Sequence, residues 1–457
     1  MRSPDLVLAG RAPLLPLFAK EVRELVSGRA VWVMMLVLCP VVGYGFIQAV
    51  ALYGEASSSA AFFPELVRGL SPLDGVLVPT FGAFYVATTL LFPFVAIRSI
   101  GAEKQSGALA LLLQLPYRTT TLVLAKFTAV LVGWLLAVLP GLSALALWTA
   151  LGGHLYAPET LALLFGHLLY GLLIAAVGLF AAAVTDAPAT AAIVALTFTL
   201  GAWVLDFMAT GYGAWTRRLA DLSPTAALKG FESGLFSLPA TLGMLVAAAT
   251  LVALSVVWLP PGRALAGKIR FSAIVVVGGL FLVLLASQAR LYADITEDRR
   301  NSFSPTQEAA LKRLTAPLAI TVYLAPDDPR LADFDRKVLG KLRRLVPDIA
   351  ITIGETSKGL FGPAGDERYG LMIYDYAGKR EESRSTSPRE VLPLLYGLAG
   401  VTVTPSEVGD YPGYPLAAET KFAGAWFYVA LPLLFACLWW LVRRQPATHS
   451  SQKEAHA

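Results

Sequence analysis

Reactive side chains are scarce in this 457-residue chain: it has two cysteines, four histidines, and only 15% charged residues. Cys39 and Cys437 both fall inside apolar runs without a Cys-x-x-Cys or Cys-x-x-Cys-His neighbour. Disulfide, zinc and haem readings therefore lack ligands. His154 and His167 flank a loop and a helix start, while His449 and His456 lie in a polar tail, and no metal spacing emerges. A phosphate loop is missing as well. Gly262-Arg-Ala-Leu-Ala-Gly267-Lys268-Ile269 comes near G-x-x-x-x-G-K-[ST], but Ile269 has no hydroxyl for magnesium and the segment joins two apolar runs. Gly141-Leu-Ser143-Ala-Leu145 lacks the second glycine of a nucleophile elbow. Acids near apolar runs reduce to Asp186 at a short turn and Asp206 at a run end, which leaves an ion-coupled carrier without mid-membrane ligands.

What the chain has is apolar length. It is 56% hydrophobic, and eight runs near bilayer length lie at about 31–50, 76–97, 127–150, 161–184, 188–205, 235–259, 271–289 and 423–442. Such a pattern predicts an α-helical polytopic membrane protein with about eight transmembrane helices. The net charge of +5 does not imply nucleic acid, because the basic residues alternate between membrane ends. Lys20, Arg23 and Arg29 precede the first run, and Arg98, Lys104, Arg118 and Lys126 separate the second from the third. Arg263, Lys268 and Arg270 separate the sixth from the seventh, and Arg443 and Arg444 follow the eighth. The positive-inside rule then predicts an inner-membrane protein with both termini cytosolic.

Two charged segments stand out at that basic side. Between Leu14 and Gly28, Lys20, Glu21, Arg23 and Glu24 alternate with Leu17, Phe18, Val22 and Leu25, which predicts an amphipathic surface helix within a cytosolic segment 1–30. The second segment, 98–126, carries Arg98, Glu103, Lys104, Arg118 and Lys126 between long apolar runs. A charge at mid-bilayer costs about 2.5–3.5 kcal/mol, so a membrane-surface loop is expected there. Within it, Leu109, Leu112 and Leu113 recur on one side of a helix that Gly107 opens and Pro116 ends.

The run Glu103-Lys-Gln-Ser-Gly107-Ala-Leu-Ala-Leu-Leu-Leu-Gln-Leu-Pro116, followed by Lys126, resembles the E-x-x-x-G-T-L-E-L-L-L-x-x-P … G-K signature of ABC type-2 exporter permeases. It departs from that signature at Ala108, Ala110 and Ala125. Leu222-Ser-Pro-Thr-Ala-Ala-Leu-Lys-Gly-Phe-Glu-Ser-Gly is similar to an extracytoplasmic segment of the same permeases. The resemblance implies a six-span permease domain over 31–260 preceded by the amphipathic helix.

Residues 290–422, between the seventh helix (271–289) and the eighth (423–442), have the near-balanced charge of a soluble domain, and the topology puts them outside the cytosol. The tail 443–457 returns to the cytosol. Ser304, Pro305 and Gln307 form a capping box that predicts a helix to about Leu314. Strands are expected at 318–325, 349–353 and 370–376, and helices over 334–345 and 389–398. The order makes 290–422 a small α/β domain compatible with a thioredoxin-like layer, but the absence of cysteine excludes dithiol chemistry there. Asp294, Thr296, Ser302 and Ser304 resemble the opening of the auxiliary subunit of gliding-motility-type ABC transporters, which implies a fusion of permease and auxiliary subunit.

The family resemblance implies a transmembrane permease that is not itself an enzyme and carries no cofactor, with ATP and Mg on a separate ABC ATPase subunit. It also implies pairing with a second permease copy or a related permease in the lipid bilayer. Glu21, Arg23, Glu103, Lys104, Gly107 and Pro116 are the expected ATPase-coupling residues. The 290–422 domain is open to contact with an envelope protein. The alternative is a membrane-anchored scaffold or binding protein that displays 290–422, although eight spans exceed what anchoring requires.

Overall fold

The computed structural model describes residues 14–60, 62–208, 223–289, 291–325, 328–346, 348–354, 368–401 and 411–444. Most of the loop 206–222 and the tail beyond Arg444 lie outside the described residues.

Among the described residues, eight helices are long and apolar enough to cross a membrane. A short helix α1 (Leu14–Ser27) precedes α2 (Arg29–Ala60). Then come α3 (Leu73–Ser106), a one-turn α4 (Ala108–Leu112), α5 (Thr119–Ala150), α6 (Ala157–Val184) and α7 (Pro188–Met208). After α8 (Pro224–Glu232), strand β1 (Leu235–Ser237) leads into α9 (Leu238–Trp258), which is followed by α10 (Leu265–Ser287). The near-match to a phosphate loop, 262–269, spans the end of the turn after α9 and the first turn of α10.

The helices alternate in direction. Lys20 of α1 reaches the end of α3, and Lys104 there reaches Thr185 at the end of α6. At the other end, Tyr53 of α2, His154 after α5 and β1 all meet residues of the C-terminal half. Two expected boundaries shift. Helix α3 continues through Ser106 instead of stopping at 97, and 235–237 forms a strand instead of the start of a span. At about 1.5 Å per residue the 32 residues of α2 span roughly 48 Å, against about 30 Å of hydrocarbon, so one end projects well beyond the bilayer.

Aromatic packing against glycine holds the bundle centre together. Trp134 of α5 is fully buried, edge-on to Phe92 at 4.9 Å and Phe84 at 5.5 Å between centroids. Its indole lies against Gly171 of α6, where an added Cβ would come within 2.2 Å of the ring. Helices α10 and α14 (Lys421–Arg444) bury the least of the eight and leave rows of Leu, Val and Phe facing outward.

The C-terminal half builds a four-stranded sheet from β3 (Leu318–Val322), β4 (Ile349–Ile353), β5 (Met372–Tyr376) and β6 (Lys379–Ser383), in the order β4-β3-β5-β6. Strands β3 and β4 pair in parallel, joined by a helical crossover α12 (329–345); β5 pairs antiparallel to both β3 and β6. Helices α11 (Pro305–Leu311) and α13 (Pro388–Ala399) cover the core formed by Ile320, Phe334, Leu342, Tyr374 and Leu395. The capping box forms in both directions: Ser304 Oγ accepts from Gln307 N–H at 3.4 Å, and Gln307 Oε1 accepts from Ser304 N–H at 3.0 Å.

Candidate functional site

Three helix ends converge beside α1. Lys126, on the first turns of α5, is fully buried with its ammonium in a tripod of acceptors. It donates to Glu21 Oε1 and Oε2 at 3.0 and 2.9 Å and to the Ser99 carbonyl at 3.0 Å, and it lies 2.7 Å from Glu103 Oε2. Lys20 closes the cluster from the rim, 2.8 Å from Glu103 and 3.2 Å from both Glu21 and Glu24. Burial disfavours the Lys20 ammonium, but the hydrogen bond to Glu103 and the charges of Glu21 and Glu103 outweigh it and raise its pKa. Oxygens of Glu21, Glu24 and Glu103 lie within 4.8 Å of one another, a spacing that could hold a cation. Lys20 and Lys126 already supply that positive charge. The cluster therefore reads as a joint that ties α1 to α3 and α5, beside an open cleft of about 210 Å³ lined by Leu25, Val95, Arg98 and Ala129.

The expected coupling residues divide into two sets. Glu21 and Glu103 are buried and turned inward, so neither is a free surface carboxylate. Lys104 donates to the Ala183 and Thr185 carbonyls at 3.0 and 2.7 Å and so caps the end of α6. These partners explain why α3 continues past residue 97, where a loop is expected. Arg23, Gly107 and Pro116 are exposed. Gly107 adopts φ 76°, a left-handed conformation that ends α3 and turns the chain into α4, so it makes a bend. Leu109 is buried and Leu112 and Leu113 half-buried, as the expected apolar side requires, while Leu111 is 67% exposed.

Lys126 and Lys20 are absent from the expected coupling set. A signal for Lys126 is present in the sequence. It lies on the stripe Leu122, Val123, Ala129 and Val130, all buried at i±3 and i±4 spacing, which marks an inward position. His167 of α6 is buried between the rings of Phe81 and Phe84, with Nε2 3.2 Å from Glu232 Oε1.

At the opposite end, a second polar cluster seats the sheet domain. Strand β1 pairs antiparallel with β2 (Tyr292–Asp294). Asp294 accepts from Thr296 N–H at 3.1 Å, Thr296 Oγ1 at 2.6 Å, Asn301 N–H at 2.9 Å and Ser302 Oγ at 2.7 Å. Asp294, Thr296 and Ser302 thus build one compact turn. From it Arg300 reaches Asp74 and donates to Ser71 Oγ at 2.6 Å. Burial opposes the Arg300 charge, but Asp74 and Asp298 more than offset it and raise its pKa. Glu297 accepts from Tyr414 Oη at 2.6 Å and lies 2.9 Å from His154 Nε2, and the His154 and Tyr414 rings stack at 3.6 Å. The hydrogen bond to Glu297 pushes the Tyr414 phenol up to about 12.

Eight antiparallel apolar helices with a charge joint at one end and a sheet domain seated at the other define a multi-pass membrane protein. The chain belongs to the ABC-2 family transporter proteins, whose family model matches residues 15–293, more than half its length. It is therefore a membrane permease subunit of an ABC transporter, and permeases of this family generally work with an ABC ATPase subunit. Nothing matches the chain among curated proteins or among solved structures.

Proposed function

We propose that this permease is the membrane body of an ATP-driven exporter and receives force from its ATPase through α1 and the Gly107 elbow. The carrying observation is the buried joint. Lys126 bonds Glu21 of α1 and a backbone carbonyl of α3, and sits in ion-pair contact with Glu103. A push on α1 is thus delivered to the ends of two spans at once. Arg23, Gly107 and Pro116 present the outward surface for the ATPase, while Glu21, Glu103 and Lys104 position the helices behind it. Differential contacts with open and closed ATPase pairs would shift the bundle between conformations. The basic residues of this end support a cytosolic assignment and an inner-membrane setting with both termini inside. ATP and Mg belong to the partner subunit, and a second permease copy or a related permease completes the pair.

On the same reading the sheet domain is extracytoplasmic. The order β4-β3-β5-β6 with a parallel β3–β4 pair supports a thioredoxin-like layer. The turn at Asp294 supports a fused auxiliary subunit of the gliding-motility type, whose exposed strand β6 is available to an envelope protein.

Co-purification from native membranes tests the central claim: a Walker-motif ATPase should accompany the chain. Gly107→Leu places a branched side chain at a left-handed φ at a cost of about 1–2 kcal/mol, and should lower coupled ATPase activity several-fold while Gly107→Asn retains it. Coupling that survives Gly107→Leu and Arg23→Glu together would refute the docking surface.

A further inference from the structure

One apolar concavity at the sheet-domain end is not explained by force transmission. It has a volume of about 560 Å³, within the roughly 300–1,000 Å³ of small-molecule sites, and runs between α8, α9, the end of α10 and helix α12 of the sheet domain. Its wall on α9 extends from Pro239 to Ala247, eight residues or about 12 Å of helix, so it descends from the membrane boundary into the bundle. The deep part is apolar, with Leu173, Met244, Ala247 and Val283. The upper rim holds Arg343 and Arg344, which are the only charged residues among those lining it.

No acidic residue lines the cleft beside either arginine. Arg344 donates to the Asn301 carbonyl at 2.6 Å, which leaves most of its five N–H donors for a further acceptor, with Asp294 and Asp335 as the nearby acids. The Asp294 carboxylate nearby already accepts four hydrogen bonds of its own turn. Arg343 lies 3.2 Å from Asp335, which does not line the cleft, and is 39% exposed. The cleft is open beside two glycines: a Cβ added at Gly230 or at Gly243 meets no atom within 4 Å. An apolar shaft capped by cationic donors at a membrane boundary is complementary to a molecule with the reverse arrangement.

We infer that this cleft holds a membrane lipid with an anionic headgroup, its acyl chain along Met244 and Val283 and its headgroup at Arg343 and Arg344. The domain is thereby seated on lipid as well as on protein, because the two arginines belong to α12 and the acyl-chain walls belong to the bundle.

The full-length protein in nanodiscs of phosphatidylcholine containing a minor share of phosphatidylglycerol provides the test, with retained lipid counted by native mass spectrometry after release. The wild type should enrich phosphatidylglycerol. Arg343→Gln should reduce that enrichment about tenfold, the loss of one charge-assisted hydrogen bond. Gly243→Leu and, on the facing wall, Gly230→Leu should fill the shaft and lower retention of both lipids, and the second variant serves if the first does not fold. Equal retention by wild type and variants overturns the assignment. So does retention without headgroup preference, or displacement of the lipid by glycerol phosphate alone, which would mean an anion site with no place for an acyl chain.

Discussion

Replacing Lys126 with methionine keeps the length and apolar stem of the side chain and deletes only the ammonium. Glu21 and Glu103, at 3% and 9% side-chain exposure, then face each other with one cation where there were two. Breaking a buried ion pair by removing one partner typically costs about 3–5 kcal/mol, because a desolvated charge is left behind. Lys20 stays 2.8 Å from Glu103 and 3.2 Å from Glu21, so the low end, about 3 kcal/mol, is the appropriate figure. That energy is lost by the attachment of α1 and not by the bundle core, whose packing around Trp134 is untouched. At about 1.4 kcal/mol per factor of ten, local detachment of α1 should become roughly a hundredfold more frequent. Hydrogen exchange of the full-length protein reads this directly: α1 amides should lose about two decades of protection while α6 amides keep theirs. The triple variant Glu21→Gln, Glu103→Gln, Lys126→Met removes the stranded charges and should recover most of the protection. Unchanged α1 exchange in Lys126→Met would show that the cluster does not hold the helix and would remove the basis for force transfer through it.

Asp294→Ala strips four donors of their acceptor and should destabilise the seating turn by about 3 kcal/mol, seen as faster limited proteolysis between residues 294 and 305. The Tyr414 phenol titrates higher in the folded protein than in the unfolded chain, so its contribution is complete below about pH 10 and is lost as pH rises through about 12. Alkaline release of the 411–418 segment should follow that window in the wild type and be absent in Tyr414→Phe, as monitored by tryptophan fluorescence of Trp148, which donates to the His154 carbonyl beneath the stacked ring at 3.0 Å. Gly171→Leu forces atoms into the Trp134 indole and should cost about 1–3 kcal/mol or more, read as a lower thermal midpoint in detergent.

Apolar length and turn chemistry carried most of the architecture in advance. The eight crossings, the capping box at Ser304 and the strand at 349–353 follow from periodicity and from residues whose partners are close in sequence. What escaped depends on partners far along the chain. Glu103 resembles a surface carboxylate until Lys126 and Lys20 are brought to it, 23 and 83 positions away. The charge at 103 points to a loop there, and the helix persists because that charge is neutralised in place. The strand at 235–237 is too short and apolar to separate from the span it precedes, and only pairing with 292–294 reveals it. The charged edge strand β6, Lys379–Ser383, alternates too little to signal a strand and forms because β5 offers it a ladder.

The two-stranded pair of β1 and β2 has a mechanical consequence. It lies immediately before α9 and a few residues after α10, so it clamps the mouths of two neighbouring crossings and leaves the sheet domain no slack linker on that side. With α2 tied through Tyr53 and Ser57 to Tyr414 and Leu416, in the segment that leads from the domain into α14, a small tilt of these crossings swings the outer β6 edge like the tip of a pointer. Distances measured from β6 would therefore magnify movements of the bundle that are hard to detect within the bilayer.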